Sequence, residues 1–95
     1  MKILAIEVHL PGVDTVAMQP LLKAEAIRAW DLMQAGVVRE IYFRADRPSA
    51  VLILECANVE EAEQVLATLP LVQAGLIAFD IIPLAPYPGF ARLFA

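Results

Sequence analysis

Residues Val37 to Cys56 read VVREIYFRADRPSAVLILEC, two apolar runs on either side of Asp46-Arg47-Pro48-Ser49. Those four residues are turn formers: aspartate and serine bond back to nearby backbone, and proline presets φ. The spacing predicts a strand over Val37 to Ala45, another over Ala50 to Cys56, and a hairpin joining them. The unbroken run Val51-Leu52-Ile53-Leu54 predicts burial on both faces of the second of these strands.

Upstream, Lys2 to Leu10 carries aliphatic residues at Leu4, Ile6, Val8 and Leu10, with Ile3 and Ala5 making the other face partly apolar. It reads as a strand closed by Pro11-Gly12-Val13-Asp14. A helix is predicted from about Pro20 to Ala35, with Gly36 just past its end, while Thr15 to Gln19 has no clear assignment. Downstream, Asn58 with Glu61 forms a capping-box pattern. Ala62, Val65, Leu66 and Leu69 then follow helical spacing until Pro70. Leu76 to Ile82 reads as a last strand, and Pro83 to Ala95 as a tail rich in proline and aromatic residues.

The order strand, helix, strand, strand, helix, strand, with right-handed crossovers, predicts an α+β, ferredoxin-like βαββαβ domain over residues 1–95. Four antiparallel strands carry both helices on one face. The opposite face has nothing of its own chain to cover it, yet the strands are apolar on both parities. A second sheet from another subunit is the economical cover, giving a dimeric α/β barrel.

Composition points the same way. The 95 residues are 60% hydrophobic and 19% charged, more apolar than typical domains at about 45–50%. A chain this short buries only about 60–65% of its unfolded surface alone, so a homo-oligomer is expected. The tail's Tyr87, Phe90 and Phe94 are expected to pack on a neighbouring subunit. Eleven acids against seven bases leave a net charge of −4 without a basic cluster, which argues against a nucleic-acid partner. No stretch reaches the ~18 apolar residues of a membrane span. The start contains no secretory core, and the lone Cys56 suits a reducing cytoplasm. One histidine and one cysteine do not make a usual zinc set. No phosphate-binding glycine loop or serine-hydrolase motif is present.

Glu25 falls inside the apolar face of the first helix, between Leu32 and Ala29 on a helical projection. Desolvation raises a carboxylate's pKa unless a cation or donor compensates, so Glu25 is a candidate general acid or base. It could equally be a structural ion-pair partner. His9, the only histidine, ends the first strand and is a natural proton shuttle, or a strand-end residue bonded to backbone or water. Glu7 shares its sheet face. Arg39, Tyr42 and Arg44 cluster on the second strand, where an arginine fork could hold a substrate carboxylate. Glu55 could stand across the hairpin from Arg39 as an ion pair, or one of the two could face a pocket beneath Glu25. Trp30 reads as core, with a wall for an aromatic ligand as the alternative.

The element order, Leu69-Pro70-Leu71, the ending Ile82-Pro83-Leu84-Ala85-Pro86-Tyr87-Pro88, Arg39 before Ile41-Tyr42, and Glu55 at a strand end resemble the muconolactone isomerase family. The resemblance runs from the first strand to Pro88. It implies a ferredoxin-like fold, sheet-to-sheet pairing and larger rings. It also implies proton transfer that moves a double bond in a carboxylated lactone, with no cofactor. The turn Asp46-Arg47-Pro48 and the segment Gln73-Ala74-Gly75 depart from the family pattern, which leaves the substrate open.

The expectation is thus a cofactor-free isomerase acting on a small carboxylated metabolite of aromatic catabolism. In it Glu25 or His9 moves the proton, Arg39 or Arg44 holds the carboxylate, and Trp30 and Tyr42 shape the walls. The alternatives are a non-catalytic small-molecule-binding or assembly module, and a cofactor-independent oxygenase using Trp30 and His9.

Overall fold

Ile3 and Ala5 are fully buried, and they mark the core face of the central strand. In the computed structural model, which describes residues 1–95, β1 (Lys2–His9) lies between β3 (Ala50–Glu55) and β4 (Ile77–Pro83), with β2 (Val38–Phe43) outside β3. All pairings are antiparallel: Ile6 faces Val51 on one side and Asp80 on the other. Helices α1 (Leu22–Gln34) and α2 (Val59–Leu66), with the single turn α3 (Pro70–Gln73), complete the ferredoxin-like α+β arrangement. No helix is long and apolar enough to cross a membrane.

Side-chain alternation along the strands sorts the two sheet faces. Ala50, Leu52 and Leu54 join Ile3 and Ala5 in the core with Leu32, Ala62 and Leu66 of the helices. Leu4, Ile6, Val51, Ile53 and Ile82 alternate onto the other face and are only partly buried. The reading of Val51 to Leu54 as buried on both sides thus holds fully for Leu52 and Leu54 alone within this chain.

Local chemistry explains the element ends. The Asn58 side chain accepts from the Glu61 N–H at 2.8 Å, and Glu61 accepts from the Ala57 N–H at 2.8 Å, so α2 starts on a reciprocal cap. Helices α1 and α3 stop the same way as each other. Gly36, at φ +75°, donates to Met33 while Val37 donates to Leu32; Gly75, at φ +73°, donates to Val72 while Leu76 donates to Leu71. Both are glycine-dependent Schellman turns that feed directly into a strand.

Several sequence expectations are corrected. Helix α1 begins at Leu22 because Thr15–Leu21, with Pro20 inside it, forms a 3-10 turn capped by Asp14. Pro70 does not simply end a helix; it opens α3, where its missing N–H costs nothing. Arg39 sits at a register shift between Val38 and Glu40, so it does not stand opposite Glu55. Glu55 instead pairs with the N-terminal ammonium at 2.9 Å.

The chain leaves the sheet once Leu84 N–H has donated to the Lys2 carbonyl at 2.9 Å. The tail then coils on itself: the Tyr87 and Phe90 rings meet edge to face, 5.0 Å between centroids. Gly89 lies against the Tyr87 ring, where a Cβ would come within 2.1 Å of it. Phe94 is 89% exposed. The radius of gyration is 15.4 Å and the longest dimension 56 Å, against about 12 Å for a compact chain of this length. The tail therefore projects as an arm.

Candidate active site

Between α1, the Leu69–Leu71 segment and the core face of the sheet lies a cavity of about 240 Å³. Leu22, Ala26 and Ala29 wall it on the helix side, and Ile41, Phe43 and Phe79 belong to the sheet beneath. It reaches the surface beside Leu22 and Ala26, which are exposed. Of thirteen lining residues eleven are apolar, and the other two are carboxylates, Glu25 and Glu7.

Glu25 stands in the first turn of α1, on the stripe that also carries Ala29 and Leu32. Its Oε1 accepts from the Leu71 N–H at 2.9 Å. Leu71 follows Pro70 at the start of α3, where a backbone N–H has no partner within the helix, so Glu25 supplies one across the fold. It forms no ion pair; the chain's two are Met1–Glu55 and Arg44–Asp46. Burial pushes the Glu25 carboxyl above the usual carboxylate range, the Leu71 N–H pulls against this, and the charge of Glu7 adds to the rise.

Glu7, marked in the sequence only by the sheet face it shares with His9, lines the cavity. It shares the core face with Ile3 and Ala5, as the third of three alternate positions along β1. Its Oε1 accepts from the Ala50 N–H at 3.3 Å, and its carbonyl accepts from the Ser49 hydroxyl at 3.0 Å. The signal was the carboxylate on the parity of the buried residues. The aliphatic run Leu4, Ile6, Val8 masked it by making the other parity look like the core face.

His9 lies outside the main cavity. It lines a smaller recess of about 30 Å³, and Glu7 borders both spaces. The remaining predicted residues are not gathered here. Trp30 is 63% exposed, a correction to its reading as core. The buried stripe of α1 is centred nearer Arg28, whose Nε donates to the Thr68 hydroxyl at 2.9 Å, and Trp30 turns outward with Ile27. Tyr42 points to the open side of the sheet, its hydroxyl donating to Glu40 at 2.7 Å. Arg44 is held by Asp46 through two bonds, of 2.9 and 2.7 Å. Arg39 donates to the Gly36 carbonyl on the surface, and Glu55 is exposed at the N-terminus. None of these five side chains lines the cavity.

An apolar cavity with a carboxyl whose pKa is raised suits proton transfer to or from a carbon of a small ring compound.

Comparison with known proteins bears on the family. The sequence matches the family model for muconolactone delta-isomerase over residues 3–89. None of the curated proteins matches it. Among solved structures, muconolactone isomerase, known at 3.3 Å resolution, is similar with a TM-score of 0.72 and 20% identity, over 93% of this chain and 92% of that one. The 5-chloro-2-hydroxyhydroquinone dehydrochlorinase of Burkholderia phenoliruptrix AC1100, solved with 2,5-dihydroxybenzoquinone, has a TM-score of 0.69 and 16% identity, over 94% and 98% of the two chains. These structural likenesses agree with the fold, and the match across nearly the whole sequence decides the family: the chain belongs to the muconolactone delta-isomerase family.

Proposed function

We propose that this chain is a catabolic enzyme for a small ring metabolite, moving a proton between carbons and so shifting a double bond. The observation that carries the reading is Glu25: a half-buried carboxyl with raised pKa, without a cation, in an apolar cavity. In its ionised form Glu25 takes a proton from an acidic carbon beside a carbonyl. The C–H electron pair moves into a dienolate, and the Glu25 carboxyl, open to exchange with solvent, returns a proton at the far carbon, so the ring is isomerised with no net change in atoms. The Leu71 N–H holds the carboxyl in place while it changes protonation state. Family membership supports the reaction class, and the protein side chains supply the proton chemistry without a cofactor.

His9 stands outside the cavity, on a recess that Glu7 also borders, and takes no part in this step. The outward position of Trp30 removes the aromatic platform on which an oxygenase reading rested.

The working form in this reading is a homo-oligomer in the cytoplasm. A second copy covers the open sheet face, where Leu4, Ile6, Val51, Ile53 and Ile82 lie, and the arm packs on a neighbour. Arg39, Arg44, Tyr42 and Glu55 lie off this cavity and belong, in this reading, to the contacts between copies.

The test is hydrogen exchange in deuterium oxide, followed by NMR on a panel of enolisable lactones and cyclic enones. The wild-type chain is expected to exchange and isomerise at least one, and Glu25→Gln to lose both activities. Equal turnover by Glu25→Gln would overturn the reading.

A further inference from the structure

The charge of the cavity lining narrows the ligand. Both of its polar side chains are carboxylates, and no arginine, lysine or histidine lines it. The arginines nearest in sequence to its sheet wall are engaged elsewhere, Arg39 with the Gly36 carbonyl and Arg44 with Asp46. Arg28, on the cavity-bearing helix, is tied to Thr68. An anion entering this space would meet like charge among apolar walls, with no cation of the same chain lining it to offset its desolvation. A neutral ring compound meets the opposite situation. Its carbon skeleton matches the apolar walls, and a hydroxyl on the ring can donate to a carboxylate oxygen, a charge-assisted bond. Glu7 is suited to receive it. The side chain is anchored by the Ala50 N–H through Oε1 alone, and it stands on the sheet wall while Glu25 stands on the helix wall.

We infer that the cavity selects an uncharged, hydroxyl-bearing ring compound of phenol or enol type, its hydroxyl donating to Glu7, over a carboxylated one. This rests on the proposed function for the site, and it replaces the arginine-held carboxylate expected from the sequence. It makes Glu7 a specificity-determining residue: its charge excludes anions and its oxygen receives the hydroxyl.

The experiment is binding, which needs no turnover. Resorcinol and benzoate, rings of similar size that differ in charge, are titrated into the full-length protein in its native assembly at neutral pH. Carboxyl-carbon NMR of labelled glutamate reads out Glu7 and Glu25. Resorcinol is expected to bind and shift both resonances. Benzoate is expected to bind about tenfold more weakly or worse, since like-charge juxtaposition costs more than that tenfold step. Glu7→Gln keeps the shape and the acceptor but removes the charge, and it should narrow the preference by raising benzoate affinity. Should Glu7→Gln fail to fold, the wild-type preference alone decides. Benzoate binding as well as resorcinol, or failure of both to bind, overturns the inference. A resorcinol preference in a protein that isomerises nothing sinks the catalytic reading but keeps this one. Loss of turnover in Glu25→Gln alongside a benzoate preference does the reverse.

Discussion

The backbone N–H of Leu71 donates to the carboxylate of Glu25 across 46 positions of the chain, at 2.9 Å. One hydrogen bond thus ties the start of α3 to the first turn of α1 and fixes one oxygen of the only carboxylate on the helix wall of the cavity. The consequences for stability and for activity separate cleanly.

Glu25→Gln keeps the acceptor for Leu71 and removes the ionisation. Because folding raises the Glu25 pKa, the folded chain binds more protons than the unfolded one just above the ordinary carboxylate range. Stability from this group is therefore fully present at low pH and is lost as pH rises through the raised value. At neutral pH Glu25→Gln should melt no lower than the wild type, and the carboxyl-dependent fall should vanish from its melting-temperature profile. Its turnover should drop about 10²–10⁴-fold. Thermal melts across the pH range, with kinetics on the same samples, check both halves.

Trp30 is the only tryptophan and lies 63% exposed on the outer side of α1. Trp30→Phe should change stability by less than about 0.5 kcal/mol, as for surface sites without special contacts. Turnover should be unaltered. The wild-type emission should be red-shifted and readily quenched by acrylamide; a blue, protected emission would contradict the exposure.

Asn58→Ala removes the cap that α2 shares with Glu61. The expected loss is about 1 kcal/mol, which lowers the melting temperature by about 4–8 °C in a domain of this size. Circular dichroism on heating measures it, and an unchanged melt would mean that α2 is held by packing alone.

Removing residues 86–95 takes away Tyr87, Phe90, Leu93 and Phe94, all of them exposed in the isolated chain. Light scattering should show a lower oligomer order or a loss of solubility, while the far-ultraviolet spectrum keeps its sheet and helix signature. If truncated protein keeps both size and solubility, the arm does not take part in assembly.

The fold was legible because its punctuation is chemical. Asn58 with Glu61, Gly36, and the turn Asp46 to Ser49 each mark a boundary through local bonding, and the structure carries out each. Glu25 was legible too, as a polar residue interrupting an apolar helical face. What helical projection could not supply was the centre of that face. Trp30 and Arg28 sit near its two edges, and contact with Thr68, forty residues away, decides which turns inward. Arg39 and Glu55 were paired on an assumed even register, and the shift at Arg39 breaks it, as a local backbone event that side-chain spacing does not encode. Glu7 reads in the sequence only as a neighbour of His9, because Leu4, Ile6 and Val8 make the other parity of β1 the more aliphatic one and hide which side looks at the helices.

The last bond of the sheet, from Leu84 to the Lys2 carbonyl, has a kinetic meaning. The strand ladder before it is bonded within one chain, and the tail after it makes no further bond to the sheet. Refolding followed by sheet dichroism should therefore be first order and blind to protein concentration. Burial of the tail, followed by fluorine NMR on a labelled Tyr87, should accelerate as the protein is concentrated. The expected order is the sheet first, within one molecule, and the arm second, between molecules, because the strand ladder ends at Leu84.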